Sequence, residues 1–183
     1  MSGLQGFRIS PQQASVYQHI NGAAGHSLSC HLQWSLSRPV TADSLNRRLW
    51  KLIADSEILR TRLVAVPGLR YPVQVIHDVV ELQVTVQDLR QLGKIDQEAA
   101  LTRLATQAHD WTSPLAVTLV QLSDELSVLD LAGASSHFDL ASLKLLSQLL
   151  SQEVDPELSE TLQYADYAEW RWSLTEDEPD HPG

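Results

Sequence analysis

The stretch Val128-Leu-Asp-Leu-Ala-Gly-Ala-Ser-Ser-His-Phe-Asp-Leu-Ala-Ser-Leu143 decides how the chain is read. An apolar strand carrying Val128, Leu129 and Leu131 runs into a short polar turn, Gly133–Asp139. A helix follows, with Leu143, Leu146, Leu149 and Leu150 on one face. A strand that delivers small and polar residues to a turn before a helix is a common way to build a site. If the turn is extended, His137 shares a face with Ser135 and Asp139, because successive side chains alternate.

Working outward, Leu115, Val117 and Leu119 alternate through a strand, and Ser123-Asp124-Glu125 turns it back into the deciding stretch. Leu28, Cys30, Leu32, Trp34 and Leu36 alternate with Ser29, His31, Gln33 and Ser35, which is a strand with one buried face. Cys30 on that apolar face packs as a small hydrophobe. Thr41 caps a helix whose stripe is Leu45, Leu49, Leu52 and Ile53. Pro67-Gly68 turns a hairpin between Val64–Val66 and Tyr71–Ile76. Leu82, Val84 and Val86 predict a further strand ending near Asp88-Leu89. Residues 95–108 predict a helix with Ala99, Leu101, Leu104, Ala105 and Ala108 on its apolar face. Near the N-terminus, Ser10-Pro11-Gln12-Gln13 has the form of a capping box opening a helix that Asn21-Gly22 ends. His109-Asp110 could be a catalytic pair, although such a loop pair is more often a turn and a cap. Asp155-Pro156 breaks the chain before a last helix.

The 183 residues fit one domain with a real core, and a 43% hydrophobic fraction argues against wholesale disorder. A net charge of -10 disfavours nucleic acid, since binding phosphates needs a basic surface. One cysteine excludes an internal disulfide framework and a Cys-rich metal site, so no metal ligands are assigned. The N-terminus has no signal-peptide pattern and no apolar run spans a bilayer, so the expectation is a cytoplasmic protein away from membranes. Residues 1–174 are expected to fold, and the acidic, Pro-containing 175–183 to form a flexible tail or linker.

Several of these segments resemble, in order, the motifs of condensation domains from nonribosomal peptide synthetases. Ser10-Pro11-x-Gln13 resembles their opening Leu-Ser-Pro-x-Gln. Glu57-Ile58-Leu59-Arg60-Thr61 resembles His-Glu-x-Leu-Arg-Thr without the histidine, which is Ser56. Tyr71–Ile76 resembles a Pro-x-Gln-x-Ile strand, and 109–115 a Phe-Asp-Leu-x-x-Gly-Pro-Leu linker. Gln163–Trp170 resembles a Tyr-x-Asp-Tyr-Ala-x-Trp helix, whose simpler reading is an aromatic helix docked on the core. Asp139-x-x-Ser142-Leu143 resembles the end of the signature His-His-x-x-x-Asp-Gly-x-Ser-Leu. Anchored on Asp139, the remnant puts Ala134 and Ser135 at the two histidines and Leu140 at the glycine. The heterocyclising form of the signature also fails, because Ala134 stands at its first aspartate.

The resemblance implies an α+β, chloramphenicol-acetyltransferase-like half-domain with a mixed sheet flanked by helices, equivalent to the N-terminal half of the family's fold. It implies that Asp139 is structural and pairs with Arg60, or failing that Arg62. It also implies a degenerate site, because the second histidine, tied to amide-bond formation, is Ser135. Serine cannot buffer a proton near pH 7, and losing a general base commonly removes on the order of 10²–10⁴ in rate. His137 is the one candidate to substitute. The expected role is therefore docking: holding a carrier protein, an adenylating enzyme or a tailoring enzyme of an assembly line, with self-association as another way to cover an exposed apolar face. No cofactor of its own is expected, only the phosphopantetheine arm of a partner carrier protein. The competing expectation is a split enzyme, in which this half is completed by another chain. A third is an unrelated small α+β domain.

Overall fold

The computed structural model describes residues 6–22, 28–107, 113–152 and 162–176. At its centre is β7 (Ser127–Ala134), whose eight residues are all buried. β7 pairs antiparallel with β2 (Ser29–Leu36) on one side and β6 (Leu115–Gln121) on the other. β6 in turn pairs in parallel with β5 (Thr85–Asp88), giving a mixed sheet in the order β2-β7-β6-β5. Leu129 and Leu131 join a large core with α2 (Ala42–Asp55) and α4 (Leu140–Ser151), through Leu45, Leu49, Leu143 and Leu150. Val128, on the opposite side of the pleat, packs with Val120 and with Leu104 of α3 (Lys94–Thr106). Covered on both faces, β7 reads as an almost unbroken apolar run for the reason parallel-sheet strands do.

A second, antiparallel sheet has the order β1-β4-β3, from β1 (Gly6–Arg8), β4 (Val73–Ile76) and β3 (Thr61–Val64). The β3–β4 connection uses Gly68 at φ 88, a left-handed backbone that glycine adopts without strain. The predicted α+β architecture with a mixed sheet and flanking helices is the one observed; the three-residue β1 is too short to show a period.

Two elements differ from expectation. Leu82 and Val84 are buried but lie before the ladder, which starts at Thr85. Side chains of α2 take the backbone groups a strand partner would have used: Val84 N donates to Asn46 Oδ1 at 2.8 Å, and Trp50 Nε1 donates to the Leu82 carbonyl at 3.2 Å. In α3 the buried residues are Ala100 and Leu104, while Ala99 is exposed. Gln97 rotates the helix by reaching inward, its Nε2 donating to the carbonyls of Leu89 (3.0 Å) and Leu122 (2.9 Å). Ala108, the pair His109-Asp110, the break at Asp155-Pro156 and the acidic segment from 177 lie outside the described residues.

The capping box is present and opens α1 (Pro11–Gly22). Gln13 N donates to Ser10 Oγ at 3.1 Å, and Ser10 N donates to Gln13 Oε1 at 2.9 Å. Both side chains then serve a second purpose. Ser10 Oγ lies 2.9 Å from Tyr164 Oη, at the start of α5 (Tyr164–Glu176). Gln13 Nε2 donates to Gln74 Oε1 at 3.4 Å, and Gln74 Nε2 to the Arg8 carbonyl at 2.7 Å. Trp172 Nε1 donates to the Ile9 carbonyl at 2.7 Å, and the Arg8 guanidinium lies 4.8 Å from the centre of the Trp172 ring. With Ala165 and Ala168 buried, α5 is a core-docking helix.

Ser10→Ala removes one cap and strands Gln13 N and Tyr164 Oη together. Urea unfolding of that variant is expected to show a loss of about 1–2 kcal/mol. A midpoint equal to that of the unaltered chain would remove this cap from the account of the fold.

Candidate functional site

β7 stops because the chain must turn above it. Ser135 N donates to the Leu28 carbonyl at 3.0 Å, which extends the pairing by one residue. His137 N and Phe138 N then both donate to the Ala134 carbonyl, at 2.8 and 2.9 Å. This folds Phe138 back over Gly133. A Cβ at position 133 would lie 2.9 Å from Phe138 Cβ and Cδ2, too close for any side chain. Glycine is therefore required here by approach rather than by its φ. Cys30 backs the turn, its Sγ 3.3 Å from the Phe138 carbonyl and 3.5 Å from that of Gly133. Burial pushes the Cys30 thiol up, which keeps it a thiol packed in the core.

The turn positions His137 between two partners. Its Nε2 is 3.1 Å from the Thr61 carbonyl and its Nδ1 is 2.9 Å from Ser136 Oγ. A carbonyl can only accept, so Nε2 carries the proton and Nδ1 is a bare acceptor facing the Ser136 hydroxyl. Burial lowers the imidazole pKa to about 4, against a smaller opposing effect of the Thr61 bond, so the ring is neutral at pH 7. Thr61 is itself fixed: it is buried, and its Oγ1 donates to the Glu57 carbonyl at 2.7 Å.

Asp139 does not make the expected ion pair. It is exposed and caps α4, accepting from Ser142 N at 2.7 Å and Ser142 Oγ at 2.6 Å. Those two bonds hold its carboxyl below the usual carboxylate range. The Arg60 guanidinium goes to the Glu57 carboxylate at 3.5 Å and the His77 carbonyl at 3.0 Å, and Arg62 is exposed. The expectation assumed a buried carboxylate in need of a cation; at an open helix N-terminus, water and the cap suffice. The Leu59-Arg60-Thr61 segment does meet the deciding stretch, but through the Thr61 backbone and His137.

Ser135, Ser136, His137 and Asp139 line one side of a cleft of about 200 Å³, with Gln13 and Tyr164 opposite. Ala134 is buried at the end of β7. Next to the cleft lies an apolar groove of about 480 Å³, which shares Phe138, Ser142 and Tyr164 with it and is walled by Leu52, Ile58, Leu145 and Leu149. Ser136 is the residue that the sequence reading missed. Strand-like alternation put positions 135, 137 and 139 together, whereas the turn pairs 136 with 137. Among the described residues, no group of three His, Cys, Asp or Glu side chains could hold a metal, and no helix is long and apolar enough to cross a membrane.

No protein-family model matches the chain. Over 146 residues, 69% of its length, it is 35% identical to a linear gramicidin synthase of Brevibacillus parabrevis. It superposes on the condensation domain from Monacolin K polyketide synthase MokA with a TM-score of 0.77 and 17% identity, over 94% of this chain. The chain is a condensation-domain relative. It is also similar to the X-domain solved in complex with OxyB from teicoplanin biosynthesis, with a TM-score of 0.70 and 23% identity over 97% of this chain. At those identities the solved structures establish the fold alone. This condensation-domain relative spans 2% of the length of the gramicidin synthase polypeptide and 40% of each of the two solved chains.

Asp139→Ala is expected to cost about 1 kcal/mol through loss of the α4 cap. Combined with Arg60→Ala, the two losses should add to within about 0.5 kcal/mol. A double-mutant coupling above about 1 kcal/mol would restore the ion pair. A second expectation concerns pH. The unfolded chain takes a proton on His137 near pH 6.5, whereas the folded chain resists until about 4. Stability is therefore full above about 6.5 and falls as the pH drops through that window, by at most about 2 kcal/mol at pH 5. His137→Gln should flatten this slope in urea titrations at several pH values. An unchanged slope would mean the imidazole is not held neutral by burial.

Proposed function

We propose that the chain is a docking module of a nonribosomal peptide assembly line, one that does not form the amide bond itself. The observation that carries this is the state of the one imidazole at the site. Ser135 occupies the position where the resemblance calls for a histidine. His137, the substitute, has its Nε2–H committed to the Thr61 carbonyl and its Nδ1 occupied by Ser136. Neither nitrogen is free to take a proton from an incoming amine. The share of solved condensation-domain chains that this one covers, 40%, is in keeping with half of a two-lobed fold.

The partner is a neighbouring synthetase protein: a carrier protein with its phosphopantetheine arm, an adenylating domain or a tailoring enzyme. The X-domain shares this fold, and its solved complex with OxyB supports the use of such a frame for holding another protein. With a net charge of -10, a basic partner face is favoured.

A split enzyme is the second reading, favoured only by His137 lining the cleft. Purified carrier, adenylation and tailoring proteins encoded beside this chain should bind it with a Kd of about 10 μM or tighter in calorimetry. No heat with any of them at about 100 μM would sink the docking role. Mixing the chain with a candidate second half and two loaded carriers should yield no amide product by mass spectrometry. A product that disappears in His137→Ala would establish the split enzyme instead.

A further inference from the structure

We propose that Ser136 is an acyl-accepting nucleophile set up by His137, and that its cleft takes an uncharged acyl donor, an oxo- or thioester, with the acyl chain in the adjoining apolar groove. This is a separate activity from docking and does not depend on it.

Three observations carry it. The first is the fixed tautomer. Thr61 can only accept, so the ring presents a bare Nδ1 to the Ser136 hydroxyl at 2.9 Å. A nucleophile in contact with a base that a third group orients is the arrangement covalent catalysis needs. Here the orienting group is a backbone carbonyl, held by the buried Thr61 and its own bond to Glu57. The second is access. Ser136 lines the open cleft of about 200 Å³, so its oxygen is not sealed in the core. The third is the neighbourhood. The apolar groove of about 480 Å³ begins at residues the cleft also touches, Phe138, Ser142 and Tyr164, so a polar reacting end and an apolar chain have adjoining places. Asp139 at the rim repels a free carboxylate and admits an uncharged acyl group.

For a thioester, Ser136 Oγ attacks the carbonyl carbon while its proton passes to His137 Nδ1. The C–S bond breaks, the sulfur leaves with that proton as a free thiol, and a serine ester remains. Water then cleaves the ester, releasing the carboxylic acid and restoring the hydroxyl.

The test uses the whole chain with two probes, the hexanoyl thioester of N-acetylcysteamine and p-nitrophenyl hexanoate. Release of thiol or nitrophenol is followed together with peptide mass spectrometry. The expected result is a hexanoyl group on the peptide at Ser136, and release reduced at least about 100-fold in Ser136→Ala. His137→Gln should slow acylation similarly while a fluorophosphonate probe still reports whether Ser136 is accessible. Leu145→Glu, at an exposed position in the groove, should abolish the preference for hexanoyl over acetyl donors. Equal release by Ser136→Ala, or label found on Cys30 instead, overturns the proposal. Because neither probe needs a partner, failure here leaves docking standing, and a Ser136→Ala chain that still binds its partner separates the two.

Discussion

Phe138 lying on Gly133 is the contact from which the rest of the site follows. β7 is buried on both faces, so it cannot simply fray into solvent at its end; the chain has to leave the sheet abruptly. It does so by stacking two amides on one carbonyl and laying an aromatic ring on a residue without a side chain. That geometry sets where Ser136 and His137 point and brings Asp139 to the mouth of α4. Packing therefore decides the chemistry, and a methyl group at position 133 would disturb it without touching any polar atom.

A second constraint ties the ends of the chain together. Ser10 caps α1 and also meets Tyr164, 154 residues later, while Trp172 reaches the Ile9 carbonyl. The small β1-β4-β3 sheet is thus held between an N-terminal cap and a C-terminal helix, and Gln13 and Gln74 carry hydrogen bonds through its buried interior. Buried amides of this kind are tolerable only when partnered, since each unpaired group would cost on the order of 1–3 kcal/mol. The condensation-domain motifs at both ends of this chain are accordingly structural, each supplying part of the other's satisfaction.

Much of this was legible in the residues. The stripe Leu45, Leu49, Leu52, Ile53 and the alternation of β2 are strong because one period governs a whole element. The capping box was readable because its partners are three residues apart. What escaped has a common physical character: a long-range polar partner replaces the local rule. Asn46 and Trp50 take over the backbone around Leu82–Val84, Gln97 turns α3, and Glu57 with the His77 carbonyl claims Arg60. The Ser136–His137 pairing escaped for the opposite reason, since it is as local as two residues can be. A period of two, applied through a turn, separated residues that the turn joins.

The fate of the imidazole shows how a frame and its chemistry come apart. A proton-handling histidine needs one nitrogen oriented by the protein and the other open to substrate. In this chain orientation is complete, through Thr61, but the open nitrogen has a neighbour of its own, Ser136. Any chemistry at the cleft must therefore begin with the serine hydroxyl, because no proton reaches Nδ1 except through it. The low pKa of the ring limits its strength as a base but leaves it unprotonated across the neutral range. A site of this kind favours one slow covalent event over rapid proton relay between two bound substrates. That is the behaviour expected of a condensation-type frame whose amide-forming position has become a serine.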